Sequence, residues 1–378
     1  MSENLPNGWK RVKLGEVCID ISYGYTASAK LNPKGVKFLR ITDIVSDRID
    51  WENVPYCEIP KTEIEKYKLE IGDIVIARTG ATTGYNKIIK KNNIECVFAS
   101  YLIRYRVNKE IADPFYVWYN LQSDKWKGFV DNIVGGSAQP GANAKQFADF
   151  EFYLPPLHEQ KAISGILSSL DDKIDLLHRQ NKTLEEMAQT LFRKWFIEDA
   201  KEDWEEVSLG DFFPVITGKK NANYATEDGQ YPFFTCSQEI LKAPSYSFEG
   251  HAILLAGNGD FNVKRYKGKF EAYQRTYVLI PNEEKYVGLL YTLIKFFLSE
   301  ITGAYRGSVV KFITKEMIED FKFKLPADRN NYMFNKKLQY INELYEKIDY
   351  NLLQIRTLEQ LRDTLLPKLM SGEVRVKL

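Results

Sequence analysis

The chain has 378 residues, room for two or three domains with cores of their own, and its 52 Lys and Arg against 51 Asp and Glu leave a formal charge of +1. That balance excludes bulk polyanion binding, so any basic surface must be local. Cys18, Cys57, Cys96 and Cys236 form no C-x-x-C pair and read as reduced thiols of a cytoplasmic protein; His158, His178 and His251 fall at no zinc spacing, so no metal site is expected; and no apolar run has the length of a membrane span or signal region.

Residues 1–155 read as a strand-rich domain. Phe38-Leu39-Arg40-Ile41 and Gly72-Asp73-Ile74-Val75-Ile76-Ala77 are β-branched runs bounded by turn residues. Asp113-Pro114 opens a helix, with proline at its first position. Residues 156–199 read as one long helix. From Ile163 its core positions are Leu167, Leu170, Ile174, Leu177, Asn181, Leu184, Ala188, Leu191 and Trp195, alternating in steps of four and three. Spacing of that kind is a heptad seam. Residues 200–327 form a second strand-rich domain, with Phe233-Phe234-Thr235 and Ile253-Leu254-Leu255-Ala256-Gly257-Asn258-Gly259 matching the two earlier runs and a helix over 286–299. Residues 328–378 repeat the long helix, with a seam of Ile341, Leu344, Ile348, Asn351, Ile355, Leu358, Arg362, Leu365 and Leu369, ending at Ser371-Gly372. Each helix spans roughly 50 Å at 1.5 Å per residue.

The second half thus repeats the first. Trp9-x-x-Val12-x-Leu14-Gly15-Glu16 returns as Trp204-x-x-Val207-x-Leu209-Gly210-Asp211, and Asp149-Phe150-x-Phe152-x-Leu154-Pro155 as Asp320-Phe321-x-Phe323-x-Leu325-Pro326. The expected fold is α+β: two strand-rich domains separated by two long helices that form an antiparallel coiled coil with pseudo-twofold symmetry. Pairing within the chain is favoured over self-dimerisation because both seams share one chain and match in length. Each seam carries one asparagine. Set opposite each other, Asn181 and Asn351 share hydrogen bonds and fix the register, placing Ile174 against Leu358, Leu177 against Ile355 and Leu184 against Ile348. The same register brings Arg362 near Asp172.

Leu154-Pro155-Pro156-Leu157-x-Glu159-Gln160 leading a helix that ends Leu191-Phe192-Arg193-Lys194-Trp195-Phe196, together with the duplicated helix, resembles the specificity (S) subunit of type I restriction-modification enzymes. The likeness covers essentially the whole chain. It implies a non-catalytic subunit whose two target-recognition domains each read one half of a split double-stranded DNA site. It implies helices that dock two adenine-methylating (M) subunits, and a complex completed by ATP-driven restriction (R) subunits. S-adenosylmethionine, ATP and Mg²⁺ would then sit on those partners and no cofactor on this chain. The second helix departs from the pattern, being entered by Leu325-Pro326-Ala327-Asp328.

Residues alone argue against chemistry in this chain. The one Pro-Pro, at Pro155-Pro156, lacks the Asx and aromatic neighbours of a base-holding methyltransferase loop. Gly257-Asn258-Gly259-Asp260-Phe261 lacks a strand–GxGxxG–helix setting, and Gly218-Lys219-Lys220 is no P-loop. Glu63-x-Glu65-Lys66 reads as a solvated helix face. DNA contact is expected from loops rich in glycine, hydroxyls, amides and cations. In the first domain the candidates are Tyr25, Thr26, Arg78, Thr79, Thr82, Thr83, Tyr85, Lys87, Ser137 and Gln139; in the second they are Lys219, Lys220, Asn221, Asn223, Asn258, Asn262, Lys264, Arg265, Arg275, Arg306 and Ser308. Residues 262–275 carry five cations against Glu271 alone. Glu159, Gln160, Phe192, Trp195 and Phe196 are the candidates for docking a partner protein, the alternative for the aromatic end at Phe192, Trp195 and Phe196 being contact with the second strand-rich domain. The alternative function is a duplicated scaffold that binds protein ligands.

Overall fold

A computed structural model of the chain describes residues 6–31, 34–46, 48–90, 94–135, 141–259, 261–303 and 312–377. It divides into two compact units, Met1–Asp175 with Arg356–Leu378, and Leu176–Ile355. Both are mixed α and β.

In the first unit the apolar run becomes the strand Ile74–Ala77, buried at every position. Strand alternation sends Ile74 and Ile76 to one core, with Tyr116 and Phe147, and Val75 and Ala77 to another, with Leu39 and Phe98. A run buried on both faces cannot alternate with polar residues, which is why it reads as continuous apolar sequence. The strand is central in a four-stranded sheet with Cys18–Tyr23, Leu102–Val107 and Asn86–Ile88. A three-stranded sheet sets Val36–Leu39 between Tyr56–Cys57 and Cys96–Phe98, and Lys10–Lys13 pairs with Glu151–Leu154. Asp113 caps the helix Pro114–Asn120 by accepting from the Tyr116 amide at 2.9 Å.

The second unit repeats this wiring. Glu205–Ser208 pairs with Lys322–Leu325, and the strand Phe248–Ala256 divides Ile253 and Leu255 from Ala252 and Leu254 between two cores. Parallel pairing of Phe38 with Val97 has its counterpart in Phe233 with Glu271. One difference is clear. Asn86–Ile88 and Cys96–Phe98 are separate strands, whereas their counterpart is a single strand, Val263–Ala272, which joins six of the second unit's strands into one sheet.

The long helices run Leu157–Phe192 and Tyr332–Ser371, and each unit contains one end of both. In the first unit Ile163 and Leu167 share a core with Leu366, Leu369 and Met370. In the second, Ala188 and Phe192 share one with Leu338, Ile341 and Leu344. Early positions of one helix therefore meet late positions of the other, the antiparallel sense. Within the second unit Asn351 Nδ2 donates to Asn181 Oδ1 at 2.8 Å. The second helix ends at Gly372, whose φ of +77° is the left-handed cap that glycine adopts without strain. Arg362 differs from expectation. It pairs with Asp171 at 3.2 Å rather than Asp172, because Asp171 faces inward, accepting also from the Tyr119 hydroxyl at 2.7 Å, while the Asp172 side chain is 72% exposed. Among the described residues no helix is long and apolar enough to cross a membrane, and no three acidic, histidine or cysteine side chains cluster as metal ligands would. Burial pushes the thiols of Cys18 and Cys96 up to about 12 and that of Cys57 to about 11, so all three stay protonated.

Candidate nucleic-acid interface

Four loop segments meet at one sheet edge of the first unit. Past Cys18–Tyr23, the Gly24 amide donates to Leu102 O and the Tyr25 amide to Phe98 O at 2.8 Å, while Ser100 N returns a bond to Tyr25 O. Past Ile74–Ala77, the Arg78 amide donates to Tyr101 O, and Arg78 O accepts from Ala142 N, both at 3.0 Å. A β-carbon on Gly24 would lie 2.3 Å from the carbonyl oxygens of Phe98 and Ala99, so only glycine lets the strands approach this closely.

The second unit builds the same edge. Gly218 N donates to Thr276 O, Gln274 N to Lys220 O, Gly257 N to Arg275 O at 2.8 Å, and Ile313 N to Gly257 O at 2.9 Å. A β-carbon on Gly218 would meet Tyr273 O at 2.2 Å. Lone bridges also correspond: Thr79 with Gly141, and Asn258 with Phe312.

At the first edge Thr26 and Tyr85 are exposed, whereas Tyr25 is half-buried, its ring 5.3 Å from that of Tyr67. Thr79 lies half-buried in its bridge to Gly141. The Thr82 and Thr83 hydroxyls bond back to Thr79 O and Gly80 O, bracing the turn Gly80–Thr82. Lys87 is half-buried on the strand Asn86–Ile88. At the second edge Lys219, Asn221, Asn223 and Arg275 are exposed and Asn258 is half-buried. The Lys219 ammonium lies 5.3 Å from the Phe248 ring centroid and that of Lys220 4.5 Å from Tyr224, placements that hold cations against aromatic faces. Ser137, Gln139, Arg306 and Ser308 lie outside the described residues.

Several expected contacts are corrected. Arg265 forms a fork with both oxygens of Asp349 at 2.7 and 2.8 Å and donates to Tyr345 O, with its side chain only 5% exposed. It ties the strand Val263–Ala272 to the second helix. Lys264 donates to Ser237 O at 2.6 Å, and burial holds its ammonium below the ordinary lysine value. Asn262 is buried and donates to Cys236 O at 2.8 Å. The basic run is therefore no patch. Lys264 faces the opposite side of the strand from Arg265, Lys267 and Lys269, and Arg265 and Lys267 are paired with Asp349 and Glu284.

The proposed docking residues are corrected likewise. Glu159, 1% exposed, accepts from Trp9 Nε1 at 3.1 Å and from Arg375 at 2.9 and 3.0 Å. Gln160, equally buried, accepts from Asp113 N and donates to Pro155 O. Both lock the start of the first helix to the first unit's own strands and termini. Phe192 and Phe196 are buried in the second unit's core. A π-type turn over Arg193–Glu198 shifts the heptad register there, so Trp195 leaves the seam and lies half-buried against Tyr340. Nothing in the sequence announced the partners of Glu159 or Arg265, which lie 216 and 84 positions away.

A duplicated α+β protein, with one braced loop edge per repeat and paired long helices, is the class this architecture defines. The family model described as "Type I restriction modification DNA specificity domain" matches residues 6–186 and again 201–359. The chain belongs to that family. The EcoDI type I restriction enzyme specificity subunit of Escherichia coli is 40% identical over 173 residues, 46% of this chain and 39% of that protein. A putative MjaX type I specificity subunit of Methanocaldococcus jannaschii is 27% identical over 412 residues, 99% of this chain and 95% of its own length. The S subunit of a type I restriction-modification system from M. genitalium shares the fold with a TM-score of 0.65, covering 98% of this chain and 97% of that one at 17% identity.

Proposed function

We propose that this chain is the non-catalytic specificity subunit of a type I restriction-modification complex. Each unit reads one half of a bipartite, asymmetric duplex DNA site through its loop edge, and the paired long helices set the interval between the halves. The observation that carries this reading is the duplicated edge: matching backbone bonds in both units, one of them offset by a residue, brace loops of different side-chain content. A shared scaffold with divergent side chains is what two readers of unlike sequences require, since base edges are told apart by side chains and backbone geometry only positions them. Tyr25, Thr26, Arg78, Thr79, Thr82, Thr83, Tyr85, Lys87, Lys219, Lys220, Asn221, Asn223, Asn258 and Arg275 are the proposed contacts. S-adenosylmethionine, ATP and Mg²⁺ belong to partner subunits, two methyltransferases and the restriction subunits, in the cytoplasm.

The test is methylation mapping of DNA from cells that express the chain with its methyltransferase subunits. One split motif with an adenine methylated in each half is expected. A continuous motif, or none, overturns the reading. Binding to mixed duplex DNA should also fall steeply with salt, as phosphate contacts release counterions. A protein scaffold would show little such dependence.

A further inference from the structure

We infer that Arg78 reads a guanine in the half-site bound by the first unit, and that the second unit has no reader at the equivalent place. The inference rests on the DNA-reading role proposed above. The Arg78 backbone is held on both sides, by Tyr101 O and Ala142 N, each at 3.0 Å. Its guanidinium lies over the Tyr23 ring, 4.9 Å from the centroid, and the Tyr23 hydroxyl in turn accepts from Ala144 N at 3.0 Å. Arg104, Arg106 and Arg265 each have a carboxylate, in Asp20, Asp73 and Asp349. Among the described residues Arg78 has none; its buried Nε, like that of Arg265, has no hydrogen-bond partner.

An arginine whose guanidinium rests on an aromatic ring has its N–H groups restricted in direction. A phosphate can take such a guanidinium fork through two of its oxygens, at orientations set by the backbone rather than by a base plane. The coplanar O6 and N7 of guanine in the major groove match it, because both N–H donors must lie in the base plane. In the second unit the corresponding residue is Gly257, bonded in the same way to Arg275 O and Ile313 N. A β-carbon there would sit 2.5 Å from Arg275 O, so no side chain fits. The exposed arginine is instead Arg275, on the facing turn where the first unit has Tyr101. The arginine has changed segments between repeats, so the two edges cannot read the same bases in the same places.

The experiment maps methylated motifs in cells expressing the full chain with its methyltransferase subunits, comparing the native protein with Arg78→Gln and Arg78→Lys. The native motif should contain an invariant G·C pair in one half. Both variants should lose discrimination at that pair by roughly 5- to 150-fold while the other half is read unchanged. Lysine keeps the charge but not the planar fork, so it separates base reading from phosphate contact. An unaltered motif with Arg78→Gln overturns the inference. So does a native motif retained by Arg78→Lys while Arg78→Gln weakens methylation at every site alike, which marks a phosphate contact. Loss of all methylation by Arg78→Lys marks a structural role and overturns it too. A native chain that yields no split motif refutes the DNA-reading role itself, a distinct result.

Discussion

Asn351 is fully buried and Asn181 only half-buried, so the two members of the seam's amide pair are not equivalent. Their single hydrogen bond leaves Asn181 Nδ2 and Asn351 Oδ1 without partners. Asn181→Leu strands a wholly buried amide and should cost about 1–3 kcal/mol, whereas Asn351→Leu leaves Asn181 able to turn toward water and should cost less. The double leucine variant should recover most of the loss. Urea unfolding of the three variants checks this ranking, and equal single-variant costs would contradict it. His251 carries a second residue-scale consequence. Its Nε2 lies 2.8 Å from Arg265 Nη1 and its Nδ1 3.2 Å from Glu284 Oε1, which suits a neutral ring that accepts from arginine and donates to glutamate. Burial, then the charge of Arg265, holds its pKa below the ordinary value of 6.5, and Lys267 adds to this while Glu284 opposes it. The unfolded chain binds the proton first as pH falls, so stability present above pH 6.5 is lost as pH drops toward the folded-state value. His251→Gln should flatten that loss below pH 6.5 in thermal unfolding. An unchanged slope would show that the ring is free to protonate.

Packing at the element scale explains which sequence signals were readable. The strands Ile74–Ala77 and Phe248–Ala256 and the long helices announce themselves because burial sets their periodicity: continuous where both faces are covered, heptad where one stripe is. The loop edges could be placed by their glycines, since Gly24 and Gly218 are required by close backbone approach. Gly24→Ala should displace the first edge, costing about 1–3 kcal/mol, and impair reading of one half-site while the other is still read. Gly218→Ala should do the converse. Methylation mapping distinguishes them, and loss of both halves from either variant would contradict independent edges. What the sequence concealed is partnership across long separations. Arg265 looks like one more cation in a basic run until strand alternation turns it toward Asp349. Glu159 looks like an exposed helix-entrance residue until Trp9 and Arg375 close over it. The turn over Arg193–Glu198 hides for another reason, because a wider turn leaves no composition mark while shifting the register of the helix's last residues.

At the scale of the whole molecule, a formal charge of +1 is compatible with DNA binding because few cations are needed at each edge, and others, Arg104, Arg106, Arg265 and Lys267 among them, are paired internally. The repeat extends from sheet pairing to individual loop bonds, and side chains at the two edges have diverged on that shared frame. Each unit is proposed to read one half of the target independently of the other. The most direct test replaces residues 10–150 with the corresponding stretch of a family member of different specificity and maps methylated sites in cells expressing the chimera with its methyltransferase subunits. One half of the motif should change to the donor's, with the other half kept. A motif changed in both halves would contradict the claim.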